Sequence, residues 1–181
     1  SYMFTGPATS MNDSFKEMAI ALSMSLLLIY LLLAVLYESV FTPLIRMFSL
    51  PLGLIGAIIC LSVTDNTLNL YSLIGILIMD GLVAKNGTLL LDYTLTLMKE
   101  GKSAAEAIIE AGKTRLKPIF MTAITMVVGM LPTALAMTEG SETRESMAWV
   151  IIGGMITSTV FTLIVIPIIF LWIQKHYPNR I

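Results

Sequence analysis

The run from Asn66 to Leu91 holds only two charged residues, Asp80 and Lys85, and the lysine most constrains the chain. A stretch that apolar and that long is a membrane-span candidate, because about 20 apolar residues cross the roughly 30 Å hydrocarbon core. A lysine near the middle of a span costs at least about 2.5–3.5 kcal/mol on insertion scales, so such residues face a protein interior and serve an ion or substrate path. The surroundings of Lys85 therefore predict movement of something across a membrane, coupled to charge.

Composition agrees. Of 181 residues, 56% are hydrophobic and 13% charged, with a net charge of −1, and the mean hydropathy is +0.86. A soluble domain carries about 25% charged residues. Lysine and arginine are divided among loops instead of forming a patch, which argues against a nucleic-acid partner. Cys60 is the single cysteine, so an internal disulfide is excluded and packing is its expected role. His176 falls in the polar tail QKHYPNR and reads as solvated or interfacial, not as a metal ligand. No nucleophile–base set accompanies the scattered Ser and Thr, so an enzyme is not expected. The polar start, residues 1–14, reads as the end of an external domain and the chain as a piece of something larger.

Charge-poor runs predict an all-α membrane fold with five spans, at about 18–36, 44–64, 66–98, 118–138 and 146–174. Pro43 suits a helix start, whereas Pro51, Pro132 and Pro167 lie inside spans and are expected to kink them. Arg46, Lys99, Lys102, Lys113, Arg115, Lys117, Lys175 and Arg180 fall on one side of that topology, and Lys16 and Arg144 on the other. The positive-inside rule places the first set, and with it the C-terminus, in the cytoplasm. Trp149 and Trp172, near opposite ends of the fifth span, fit interfacial belts or packing equally well.

Ser103 and Glu106 form a capping-box pattern, and Ala107, Ile108 and Ala111 share a face that ends at Gly112. This predicts a short amphipathic helix over 103–112 along the cytoplasmic interface, either functional or a plain linker. Gly53 with Ala57, Gly154 with Ser158, and Gly75, Gly81 and Gly87 read as close-packing positions between helices.

Asp80 and Lys85 are five residues apart, so on a helix they diverge by about 140° and about 7.5 Å of rise. Partners on one face need a spacing of three or four. Glu38 and Asp92 lie near span ends, and Asp65 and Glu139 in loops, so the partner of Lys85 is expected outside this chain. The alternative is an internal Asp80–Lys85 pair that only offsets two charges. Arg115 and Thr122, seven residues apart, share a face if their helix continues across Pro118, with Thr122 about 10 Å deeper.

These residues lie in motifs that resemble a known family. LNLYSLIG at 68–75 and GLVAKNG at 81–87 are similar to the tenth transmembrane helix of resistance-nodulation-division (RND) efflux pumps of the hydrophobe/amphiphile (AcrB-type) branch. MNDSF at 11–15 resembles the entry to the eighth helix, LYESVFTPLI at 36–45 the turn after it, and PLGLIGA at 51–57 the ninth helix. The stretch 110–135 resembles the entry to the eleventh helix and 147–170 the twelfth.

The resemblance implies the C-terminal transmembrane half of a twelve-helix, proton-driven pump, with residues 1–14 ending a periplasmic domain and 15–181 forming the membrane domain. The family's relay lysine falls on Lys85, followed by Asn86, and its relay arginine and threonine on Arg115 and Thr122. The carboxylates that pair with the lysine belong to the N-terminal half. Asp80 stands where the family usually has an apolar residue, so its place in the relay is open. The resemblance also implies the bacterial inner membrane, a homotrimer, a periplasmic adaptor and an outer-membrane channel, with the proton gradient in place of a cofactor. Two other readings of the same helices are an RND-like secretion or lipid-export accessory protein and a purely structural membrane anchor.

Overall fold

The computed structural model describes residues 7–37, 43–44, 47, 49–137 and 140–176, with side chains from Asp13 onward, Ser49 excepted. Five helices account for most of them: α1 (Pro7–Tyr37), α2 (Ser49–Val63), α3 (Leu70–Lys99), α4 (Ala104–Ala134) and α5 (Glu145–His176), the last preceded by a 3₁₀ turn at Glu142–Arg144. Four are long and apolar enough to cross a membrane, and α2 is a shorter apolar helix. The expected all-α membrane architecture is what the chain adopts. Glu38, Arg46, Glu139, Arg180 and residues 1–6 lie outside the described residues.

Local chemistry sets the helix ends. Asn69 caps α3 by accepting from the Ser72 N–H at 2.9 Å, while the Asn69 N–H donates to Ser72 Oγ at 2.8 Å. Serine here fills the place that Glu or Gln takes in the usual reciprocal cap. At the other end of α3, Gly101 at φ +96° lets Lys102 N–H reach the Leu97 carbonyl and Gly101 N–H the Met98 carbonyl, the paired closure of a Schellman motif. Ser103 then starts α4 with the expected capping box to Glu106. The end of α4 uses the same closure with Ala136 at φ +49°.

One expectation is corrected. The interfacial helix at 103–112 and the span at 118–138 are a single helix, Ala104–Ala134, running through Gly112 and Pro118. Nothing lies near Gly112, so helical backbone there costs only glycine's entropy, about 1 kcal/mol. Pro118 removes one N–H, the one that would bond the Thr114 carbonyl. Packing on both sides outweighs these losses. Ala107, Ile108 and Ala111 join Leu90, Leu91, Ile166 and Phe170 in one buried cluster, and Ile119 and Ala123 are buried beyond the proline. At 31 residues α4 is about 46 Å long, so its first turns project beyond a roughly 30 Å core. α1, also 31 residues, begins eleven residues before the expected span, and its polar start is a helical extension of that span.

α5 is the centre of the bundle, packed against α2, α3 and α4. The expected close approaches are present where α2 meets α5. A Cβ on Gly153 would lie 2.7 Å from the Gly56 carbonyl oxygen, and one on Gly154 3.2 Å from that of Gly53. Such contacts bring backbones together where lipid offers no hydrophobic drive. A Cβ on Gly75 would lie 2.9 Å from the Met147 carbonyl oxygen, whereas Gly81 faces open space and is not a packing position among the described residues. At one end of the bundle, Asn66 Nδ2 donates to Glu145 Oε1 and Ser146 Oγ to Asn69 Oδ1, tying the α2–α3 loop to the start of α5.

Candidate functional site: two faces of a charged span

Lys85 lies at the midpoint of α3 and its side chain is exposed. It makes no ion pair or hydrogen bond with the described residues. Around it the helix surface is bare: Ile78 is 42% exposed and Gly81 has nothing within 4 Å of where a Cβ would be. A cation at mid-span that the described residues leave uncovered needs cover from elsewhere.

Asp80 occupies the opposite situation. It is 6% exposed, on the face that also buries Leu73, Ile76 and Val83. No hydrogen bond or ion pair reaches its carboxyl among the described residues. The two charges therefore do not form an internal pair, as the 140° divergence implies.

Asn86 follows Lys85 in sequence but turns inward. It is 3% exposed, and its Nδ2 has no hydrogen-bond partner. Arg115 stacks its guanidinium over the Tyr93 ring at 4.9 Å from the centroid, an arrangement worth about 0.5–2 kcal/mol. Its Nε is buried without a partner. Because α4 is continuous, Arg115 and Thr122 do share a face, with Thr122 about 10.5 Å further along. Thr122 is exposed and its hydroxyl donates to its own helix, at the Pro118 carbonyl, 2.8 Å away. Neither Arg115 nor Thr122 bonds Lys85, so the five residues singled out in the sequence lie on one pair of helices without forming a joined cluster.

Sequence reasoning missed Tyr93, which fixes Arg115, and the hydroxyls of Thr159 and Thr162, both buried and unpartnered in α5. The spacing of three between those threonines in an otherwise apolar span was the available signal. A cavity of about 460 Å³ lies at the other end of α3, lined by Ser14, Phe15, Asn69, Leu70, Tyr71 and Leu73. It is separate from the Lys85 face. Among the described residues no group of three or more His, Cys, Asp or Glu could hold a metal ion.

Outside the membrane segments, the α3–α4 turn carries its own electrostatics. Lys102 pairs with Glu110, and that hydrogen bond raises the Lys102 ammonium above its ordinary value. Hydrogen bonds from Ser103 lower the Glu106 carboxyl.

Comparison with known proteins adds to this geometry. Residues 1–174 match the AcrB/AcrD/AcrF family. The swarming motility protein SwrC of Bacillus subtilis is 36% identical over 176 residues, 97% of this chain and 17% of SwrC. The multidrug resistance protein MdtC of Proteus mirabilis is 37% identical over 181 residues, 98% of this chain and 18% of MdtC. The toluene efflux pump membrane transporter TtgB of Pseudomonas putida is 32% identical over 179 residues, 99% of this chain and 17% of TtgB. The chain thus spans less than a fifth of the length of these relatives.

Proposed function

Because the chain belongs to the AcrB/AcrD/AcrF family, we propose that it is the C-terminal transmembrane half of a proton-driven efflux pump that exports hydrophobic or amphiphilic compounds. The observation that carries the reading is Lys85: a cation at mid-span, bare on its own chain, in a chain that is a small part of its relatives. The N-terminal half of the same transporter covers that face and supplies the carboxylates that hold the ammonium.

The cycle follows from charge. Deprotonated carboxylates hold Lys85; protonating them releases it toward the exposed face of α4, where Thr122 lies, and the helices shift. Each charge crossing the membrane yields about 2.3 kcal/mol per 100 mV. Breaking a buried ion pair costs about 3–5 kcal/mol, so protonation rather than voltage alone releases the lysine. Arg115, held by Tyr93, stands nearer the cytoplasmic end and keeps a positive field at that mouth. Asn86 turns its amide into the bundle, beside the lysine that faces outward. Efflux function among the relatives supports the substrate class. The pump sits in the bacterial inner membrane with its C-terminus in the cytoplasm. It works as a homotrimer with a periplasmic adaptor and an outer-membrane channel.

The test is Lys85→Met in the full-length transporter, reconstituted in proteoliposomes with an imposed pH gradient. Substrate transport is expected to fall to the level without a gradient, with the oligomer intact. Undiminished proton-coupled transport removes Lys85 from the mechanism. Reduced oligomer yield with full turnover per oligomer points instead to a structural anchor.

A further inference from the structure

The relay proposed above leaves Asp80 unused, yet among the described residues Asp80 is the most deeply buried acid. It is 94% buried by the described residues alone, since 6% of its surface remains. Lys85 can be reached by another polypeptide across its whole exposed face, Asp80 only through the small part of its surface that the described residues leave open. A counter-ion from the rest of the transporter would have to approach through that last small fraction of surface.

Its neighbours offer no charge. α1 packs its Phe15, Met18, Leu22 and Leu26 toward the cluster of Leu73, Ile76, Met79 and Val83, and the titratable groups of its apolar part are Tyr30 and, at its end, Tyr37. The charged Asp13, Lys16 and Glu17 lie at its polar start. α2 contributes Cys60, which packs against Gly153, and carries no charged residue. α5 has none between Glu145 and Lys175. On α3 itself Lys85 points away, and Arg115 of α4 is engaged with Tyr93. An isolated carboxylate moved out of water neutralises instead of staying charged. A bound metal cation is a poor alternative, because no group of metal-binding side chains exists among the described residues.

We propose that Asp80 is a proton-binding site separate from the Lys85 relay: it carries a proton in the packed arrangement and exchanges it only when α3 moves away from α1, α2 and α5. The step is a simple acid dissociation. The O–H bond of the Asp80 carboxyl breaks, the proton passes to water admitted by that movement, and the carboxylate keeps the electron pair. Conformational change in the membrane domain thereby becomes coupled to a second titrating group, on the face of α3 opposite the first.

Infrared difference spectroscopy of the full-length transporter in lipid, with aspartate carboxyls isotopically labelled, tests the assignment. The wild type is expected to show a protonated aspartate carboxyl band at neutral pH in hydrogen-poor surroundings. Asp80→Asn removes that band and Lys85→Met leaves it in place. Should Asp80→Asn assemble poorly, Asp80→Glu serves, moving the signal out of the labelled aspartate band. Retention of the full band in either Asp80 variant overturns the proposal, as does its absence from the wild type. The outcome is independent of the relay: loss of the band in Asp80→Asn together with normal transport by Lys85→Met keeps this inference and sinks the other.

Discussion

Two charged residues five positions apart on α3 live under opposite rules. Asp80 is closed in by its own chain, while Lys85 stands on a surface that the described residues leave bare. The same contrast holds between whole helices: half of the apolar window of α3 is buried, against 11% of that of α4 and 6% of that of α1. A helix that is hydrophobic all round and still bare expects lipid or another bundle as its cover. The difference teaches that burial within this chain separates what the chain completes alone from what it leaves for a partner. The α2–α3–α5 core is complete, and the Lys85 face is left open.

The sharpest way to break this comparison is to exchange the demands on the two faces. Asp80→Arg places a long cation in a space already filled and without a counter-charge. The expected cost exceeds about 3 kcal/mol, the scale of an uncompensated buried charge, and little assembled full-length protein should be recovered by size-exclusion chromatography in detergent. Lys85→Gln, on the bare face, should assemble as the wild type does and lose transport alone. Equal recovery of the two variants means that the two faces do not differ in the assembled protein.

Much of the fold was legible because membrane insertion excludes charge. The boundaries of α3 and α5 follow the charge-poor runs closely, and Ser103–Glu106 declared its cap through residue types with a known reciprocal geometry. The course of α4 was not legible. Gly112 and Pro118 are local stop signals, and what overrides them is contact with Leu90, Leu91 and Phe170, residues distant in sequence. Asp65 and Ala136 adopt positive φ at helix ends where glycine would have been the readable sign. At the site, the isolation of Lys85 followed from spacing alone. The stacking of Arg115 on Tyr93 did not, because it depends on how α3 and α4 are placed side by side. Asn86 was read with its neighbour Lys85, although one residue of helix rotation carries it to the inner face.

The continuity of α4 yields a smaller effect with a decisive sign. A helix ending at Gly112 would place that glycine in the left-handed region, and alanine there would destabilise it. Within a continuous helix with open space where the new Cβ would stand, Gly112→Ala should instead stabilise by about 0.5–1 kcal/mol. A rise in the thermal unfolding midpoint of the full-length protein supports the single helix, and a fall restores the interfacial helix as a separate element.

The smallest expected effect lies at the α3–α4 turn, where solvent screens the charges. Glu106 is lowered by its bonds to Ser103, so the stability it adds is present above the ordinary glutamate value of about 4.3 and is lost as pH falls through its lowered folded value. Lys102 is raised by Glu110; its contribution is full below the ordinary lysine value of about 10.4 and is lost as pH rises through the raised one. Amide exchange at Glu106 and Ala107, corrected for intrinsic rates, should therefore be slowest across the neutral range and rise at both extremes. Ser103→Ala should erase the acid limb and spare the alkaline one, because the Lys102–Glu110 pair does not involve that hydroxyl. Loss of both limbs together would mean that cap and ion pair form one cooperative unit holding the start of α4 beside α3, with Arg115 about three turns further along.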